Sequence, residues 1–100
     1  MGRRGERAQS SHDAEVARQA KSLARTGWTV EADMPGYVRP NGIGRHGRRP
    51  DVIGSKGSRR KVIEVETPAT LSSDREQLAT FRRHAAHKPN TTFMVVITED

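Results

Sequence analysis

The sequence predicts an α/β fold: a three-layer α-β-α domain with elements in the order α-β-β-β-α-β and a four-stranded mixed sheet. Three observations carry this expectation. Residues 10–26 place apolar side chains at helical intervals, and residues 60–67 alternate with the period of a strand. Residues 92–98, "TFMVVIT", form an unbroken apolar run after a second helical stretch. A chain of 100 residues has room for one domain with a modest core.

Residues 1–9 carry Arg3, Arg4 and Arg7 without periodicity and read as a mobile basic tail, leaving residues 10–100 as the single domain. Ser10 is a candidate N-cap, with Asp13 three residues on as its capping-box partner. Val16, Ala20, Leu23 and Ala24 share one face of the helix that follows, and Gly27 can end it. Residues 28–34 read as a strand with Trp28, Val30 and Ala32 on one side. A loop rich in glycine and arginine comes next. Residues 51–54 form a short second strand, "GSKGS" a turn, and residues 60–67 a third strand that Pro68 ends.

On that third strand Val62, Glu64 and Glu66 share one face, while Ile63 and Val65 share the other. Ser73 and Glu76 mark the start of a second helix that runs to about residue 87, with Leu78, Phe81, Ala85 and Gln77 facing inward. The closing apolar strand is expected to be covered on both faces. The first three strands then make an antiparallel meander. A right-handed crossover through the second helix sets the fourth strand parallel to the third, with one helix on each face of the sheet.

Composition narrows the function. No apolar run is long enough to span a membrane, the N-terminus lacks the apolar stretch of a signal peptide, and a cytoplasmic protein is the expectation. With no cysteine, thiolate zinc sites and disulfides are excluded. The formal net charge is +6, and it is concentrated. Residues 36–61 hold eight Lys or Arg against the single acid Asp51, an excess of +7 that leaves −1 for the rest. Such clustering suits a polyanion, nucleic acid being the commonest, although a solvated loop is the plainer explanation.

Three carboxylates, Asp51, Glu64 and Glu66, lie among apolar runs. Pairing the second and third strands would bring Asp51 near Glu64 or Glu66. Converging carboxylates suit a hard divalent cation, Mg²⁺ or Mn²⁺. Cross-strand salt bridges with Arg59, Arg60 or Lys61 are an equal alternative on residue types alone. His84 and His87 are three apart on one helix, a spacing compatible with a metal. Without a third ligand in view, solvent-exposed histidines are the simpler reading. His12 and His46 carry no signal of their own.

With "RPDVIG" on the second strand and "EVE" on the third, in this element order, residues 10–98 resemble the PD-(D/E)XK nuclease superfamily, whose fold is restriction-endonuclease-like. The resemblance implies that Asp51 and Glu64 are metal ligands, with the Val65 carbonyl as a third. It also implies an additional acidic ligand at Glu15 and a catalytic role for Gln77 in "QLATF". Glu66 stands where most members have a lysine, so it departs from the pattern. It could serve instead as a general base or hold a second ion, as in the E-x-E members. Lys61 faces away from Glu64 by strand parity, Lys56 sits in the turn, and Arg75 would serve only if its helix end meets the site.

The first expectation is therefore a small Mg²⁺-dependent endonuclease that hydrolyses DNA phosphodiester bonds. Arg39, Arg45, Arg48, Arg49, Lys56 and Arg59 would contact phosphates rather than bases. A non-catalytic nucleic-acid-binding module that keeps the nuclease fold is the alternative. A protein-interaction domain that meets an acidic partner through the basic loop is a third reading. A homodimer is an open assembly state.

Overall fold

The computed structural model describes residues 6–98, and side chains from residue 9 onward. The elements are α1 (Glu6–Arg25), β1 (Thr29–Ala32), β2 (Val52–Lys56), β3 (Arg59–Glu66), α2 (Pro68–Leu71), α3 (Arg75–His87) and β4 (Thr91–Ile97). The sheet has the order β1-β2-β3-β4. Both β1–β2 and β2–β3 are antiparallel, while β3–β4 is parallel, so the mixed four-stranded α/β architecture is as expected.

The two sheet faces divide the core. Val16, Ala20 and Leu23 of α1 pack with Trp28, Ala32, Val52, Ile63 and Val65. On the other face Ile43 and Val62 pack with Phe81 of α3, and Phe93 closes against Phe81 edge to face at 5.8 Å. The alternation along β3 thus sends Ile63 and Val65 toward α1 and leaves Val62, Glu64 and Glu66 on the α3 side.

Several boundaries depart from the sequence reading. The helix begins at Glu6, not Ser10, because residues 6–9 are good helix formers and extend it by a turn. Ser10 is therefore inside the helix, and Asp13 accepts from Gln9 Nε2 at 2.8 Å instead of capping. Of the proposed basic tail, Arg3 and Arg4 lie outside the described residues. The C-terminus of α1 ends as expected at Gly27, whose φ of 90° places it in the left-handed region. Trp28 N–H donates to the Leu23 carbonyl at 3.1 Å and Gly27 N–H to that of Ala24 at 3.3 Å, the paired bonds of a Schellman ending.

The β2–β3 turn is only Gly57 and Ser58, since Lys56 pairs with Arg59, so Lys56 belongs to the strand. Pro68 ends β3 but also opens the unexpected α2, where Thr67 and Thr70 form a capping box. Ser73 consequently donates to the Thr70 carbonyl, and Asp74 takes the N-cap position of α3. The largest correction is β4. As an edge strand it keeps Met94 and Ile97 46% and 52% exposed. An apolar run reports hydrophobicity without saying which neighbours cover it. Among the described residues no helix is long and apolar enough to cross a membrane.

Candidate metal and nucleic-acid site

The β2–β3 register builds the site. Val52 pairs with Ile63, so Asp51, one residue beyond the ladder, stands opposite Glu64 on the same face. Asp51 N–H donates to Glu64 Oε1 at 3.0 Å. In return Asp51 Oδ2 accepts from Val65 N–H at 2.8 Å, satisfying a strand amide that β2 no longer reaches. The two carboxylates are locked to each other's strands.

Around them lies a cleft of about 390 Å³, lined in part by His12, Asp33, Arg49, Thr70, Asp74 and Gln77. Gln77, on the inward face of α3, donates to Glu64 Oε2, which fixes the second oxygen of that carboxyl. From α1, His12 Nε2 lies 3.2 Å from Asp51 Oδ2 and its Nδ1 3.1 Å from Asp13 Oδ1. His12 is buried. Sequence spacing could not mark it, because its partner lies 39 residues away. A histidine one turn before the core position Val16, on the edge of the buried face, was the only trace.

Burial first, and then the charge of Asp51, push the Glu64 carboxyl up to about 10. A hydrogen bond shared with the Asp51 side chain and the charge of Glu66 act in the same direction, and the Asp51 amide opposes them. Burial and the charge of Asp51 both favour a proton retained on the close carboxyl pair toward neutral pH.

Glu15 sits elsewhere. Its carboxylate is held by Arg18 and, at 2.7 Å, by Gln19, and it faces Ile97 and Thr98 rather than the cleft. Burial works to raise its pKa, but the Gln19 and Arg18 contacts outweigh this and leave it below the usual value. Glu66 is 0% exposed and accepts from Thr70 Oγ1 at 2.6 Å, behind the cleft wall. Thr70→Val removes that donor from a buried carboxyl, and an equilibrium unfolding curve should show a loss of about 1–3 kcal/mol.

The salt-bridge alternative fails on geometry. Arg59 and Lys61 lie over the Trp28 ring, 5.3 and 4.8 Å from its centroid, on the α1 side. Among the described residues no ion pair joins Asp51, Glu64 or Glu66 to Arg59, Arg60 or Lys61. Among the described residues no lysine lines the cleft. Arg49 does, with its Nε donating to the Pro40 carbonyl at 2.7 Å.

The basic residues fall into separate groups. Arg49 borders the cleft, and Arg39 pairs with Asp33 at 3.3 Å on its rim. Arg45 lines a neighbouring cavity against α3, and Arg48 holds the loop closed through its backbone bridge to Ile43. Lys56 instead donates to the Thr26 carbonyl at 2.8 Å. Lys56 and Arg59 lie at the hairpin end of the sheet, about 16 Å along β2 from Asp51 at some 3.3 Å per residue.

Among the described residues no three ligating side chains stand at metal-holding geometry. Mg²⁺ does not need three, since it commonly binds through one or two carboxylates and keeps several waters. Asp51 and Glu64 supply two oxygen donors of that kind, and the donor set fits a hard cation. No protein-family model matches the chain, and no curated protein does either.

Proposed function

We propose that the chain is a small, cytoplasmic, metal-dependent endonuclease that hydrolyses DNA phosphodiester bonds at the Asp51–Glu64 cleft. The observation that carries this reading is the carboxyl pair itself. Two acidic side chains from adjacent strands, locked by reciprocal backbone hydrogen bonds, share a polar cleft beside a basic loop. Such a pair is unfavourable for folding alone, and a cation gives it a use.

Asp51 and Glu64 would hold Mg²⁺ or Mn²⁺, which supplies Lewis-acid polarisation of a phosphate oxygen and a more acidic water. Glu64 must first give up its proton. Gln77 holds the freed carboxylate in place through Oε2, and His12 does the same for Asp51. Arg49 offers the cleft a guanidinium for a phosphate, in place of the missing lysine. Glu66 is too buried to receive a proton from a water in the cleft, so it supports the wall instead.

His12 is thus a positioning residue. His12→Ala should weaken Mn²⁺ affinity about 10- to 100-fold, the usual effect of losing a hydrogen bond to a metal ligand, while Asn at this position should recover part of it. Calorimetric titration of Mn²⁺ would show an unchanged constant if His12 has no such role.

The non-catalytic binding module is favoured by one observation, the burial of Glu66 where a catalytic lysine would be needed. Both readings predict DNA binding that weakens with salt. Replacing Arg45, Arg48 and Arg49 with alanine should reduce the slope of log K against log salt by up to about 2.7, at about 0.9 per lost phosphate contact, for all sequences alike. An unchanged slope would move the binding surface elsewhere. Incubating branched and linear DNA with Mg²⁺, Mn²⁺ or chelator separates the two readings. Metal-dependent cleavage lost in Asp51→Ala supports the nuclease, and metal-independent binding without cleavage supports the module.

A further inference from the structure

Next to the carboxylate cleft, the loop at residues 43–46 closes onto α3 around a second cavity of about 450 Å³. The loop contributes Arg45 and His46, and α3 contributes Thr80, Arg83, His84 and His87. The helix residues are spaced by three and four positions, so they form one stripe along α3. Among the described residues no carboxylate lines the cavity.

The loop is a built wall. Ile43 N–H donates to the Arg48 carbonyl at 2.7 Å and Arg48 N–H to that of Ile43 at 3.0 Å. Ile43 is buried with Val62 and Phe81, which anchors the loop on the core. Gly44 has a φ of 81°, and a Cβ there would come within 2.8 Å of the Thr80 methyl, so the backbone packs directly on the helix.

Its polar side chains are little engaged among the described residues. Among the described residues Arg45, His46, Arg83 and His87 make no side-chain hydrogen bond or ion pair. His84 Nε2 is buried with no hydrogen-bond partner, and so is Nε of Arg60, which sits on the same sheet face. Native structures rarely leave such atoms unmatched. Burial, followed by the charges of Arg60 and Lys88, holds the His84 imidazole below its ordinary pKa, so the surrounding potential is positive. Three histidines meet here, yet they do not stand at metal-holding geometry, and two guanidiniums beside them would repel a cation.

We propose that this cavity, with the His84 ring in its wall, binds a phosphate group held by Arg45 and Arg83, and that a DNA strand engaged by the carboxylate cleft supplies it. The second half rests on the nuclease reading, and the first does not. His84 is seven residues beyond Gln77 on α3, about 10 Å at 1.5 Å per residue. A strand running along α3 from the cleft would therefore place one of its nearby phosphates in this cavity. The pocket would fix register on the strand without reading sequence.

The test is an NMR titration of the histidine ring signals of the full chain without divalent ions, first with sodium phosphate, then with sodium chloride at matched ionic strength, then with a short DNA duplex. Phosphate should move His84 and His87 saturably, chloride should not, and His12 in the cleft should stay still. DNA should move His84 and His12 together. Arg45→Ala and Arg83→Ala should each weaken phosphate about tenfold, the effect of one charge-assisted hydrogen bond, and Arg83→Lys should weaken it less.

Unmoved His84 under phosphate, or an equal response to chloride, would overturn the pocket, and this needs no variant to fold. A response to phosphate but not to DNA would overturn the strand as its source and leave a site for free phosphate. The nuclease reading fails separately. A protein that never cleaves DNA but shows the phosphate response keeps the pocket and loses the active site.

Discussion

Glu64→Gln is expected to raise the melting temperature of the metal-free protein at pH 8 and to flatten its dependence on pH. The folded-state pKa of Glu64, about 10, lies above its ordinary value of 4.5. Its contribution is therefore fully present below about pH 4.5 and is lost as the pH rises toward 10. Across that window the unfolded chain gains a solvated carboxylate that the folded chain cannot match. The loss is at most about 1.4 kcal/mol per pH unit. Glutamine keeps an oxygen for the Asp51 amide and has no proton to lose. For a domain of this size each kcal/mol is about 4–8 °C of melting temperature. Parallel wild-type and variant stability curves between pH 5 and 9 would mean that Glu64 is not held protonated.

The second large effect is on the metal response. Saturating Mg²⁺ or Mn²⁺ should stabilise the wild type by about 2.7 kcal/mol at a hundred times the dissociation constant, because the ion binds only the folded carboxyl pair. Asp51→Asn should abolish most of this. Without metal the variant should stay within about 1 kcal/mol of wild type, since the asparagine oxygen can still accept from Val65 N–H. The repulsion between Asp51 and Glu64 is already relieved by the Glu64 proton, so neutralising Asp51 brings little further gain. A thermal melt in which Asp51→Asn retains the metal shift would place the ion elsewhere.

Local rules made the core of the fold legible. Alternation on β3 assigned Glu64 and Glu66 to one face and Ile63 to the other, and the burial of each face agrees. Gly27 marked the end of α1 because a left-handed residue was needed there. The helix start escaped because Ser10 is a good cap in isolation, yet residues 6–9 continue the helix at little cost. β4 was misjudged because its exposure follows from its place at the sheet edge, which no local pattern encodes.

At the site, strand pairing could be inferred, so Asp51 was expected near Glu64 or Glu66, and the register sets it against Glu64. His12 could not, since its role depends on how α1 crosses the sheet. Glu66 read as a cleft residue because strand parity gives a direction but no depth, and Glu15 only because the family resemblance implied a ligand there. Thr70 and the pair Arg18 and Gln19 hold them away from it. The cavity between the loop and α3 joins residues about 40 positions apart, and the spacing of His84 and His87 alone could not show that the loop closes on them.

Titrating Mn²⁺ into the protein by calorimetry at pH 7, in two buffers of different ionisation enthalpy, tests the Asp51–Glu64 metal centre most directly. Binding should release about one proton, the one the carboxyl pair gives up, and should be lost in Asp51→Asn. Absence of binding, or binding with no proton released and no change in Asp51→Asn, would contradict the Asp51–Glu64 centre.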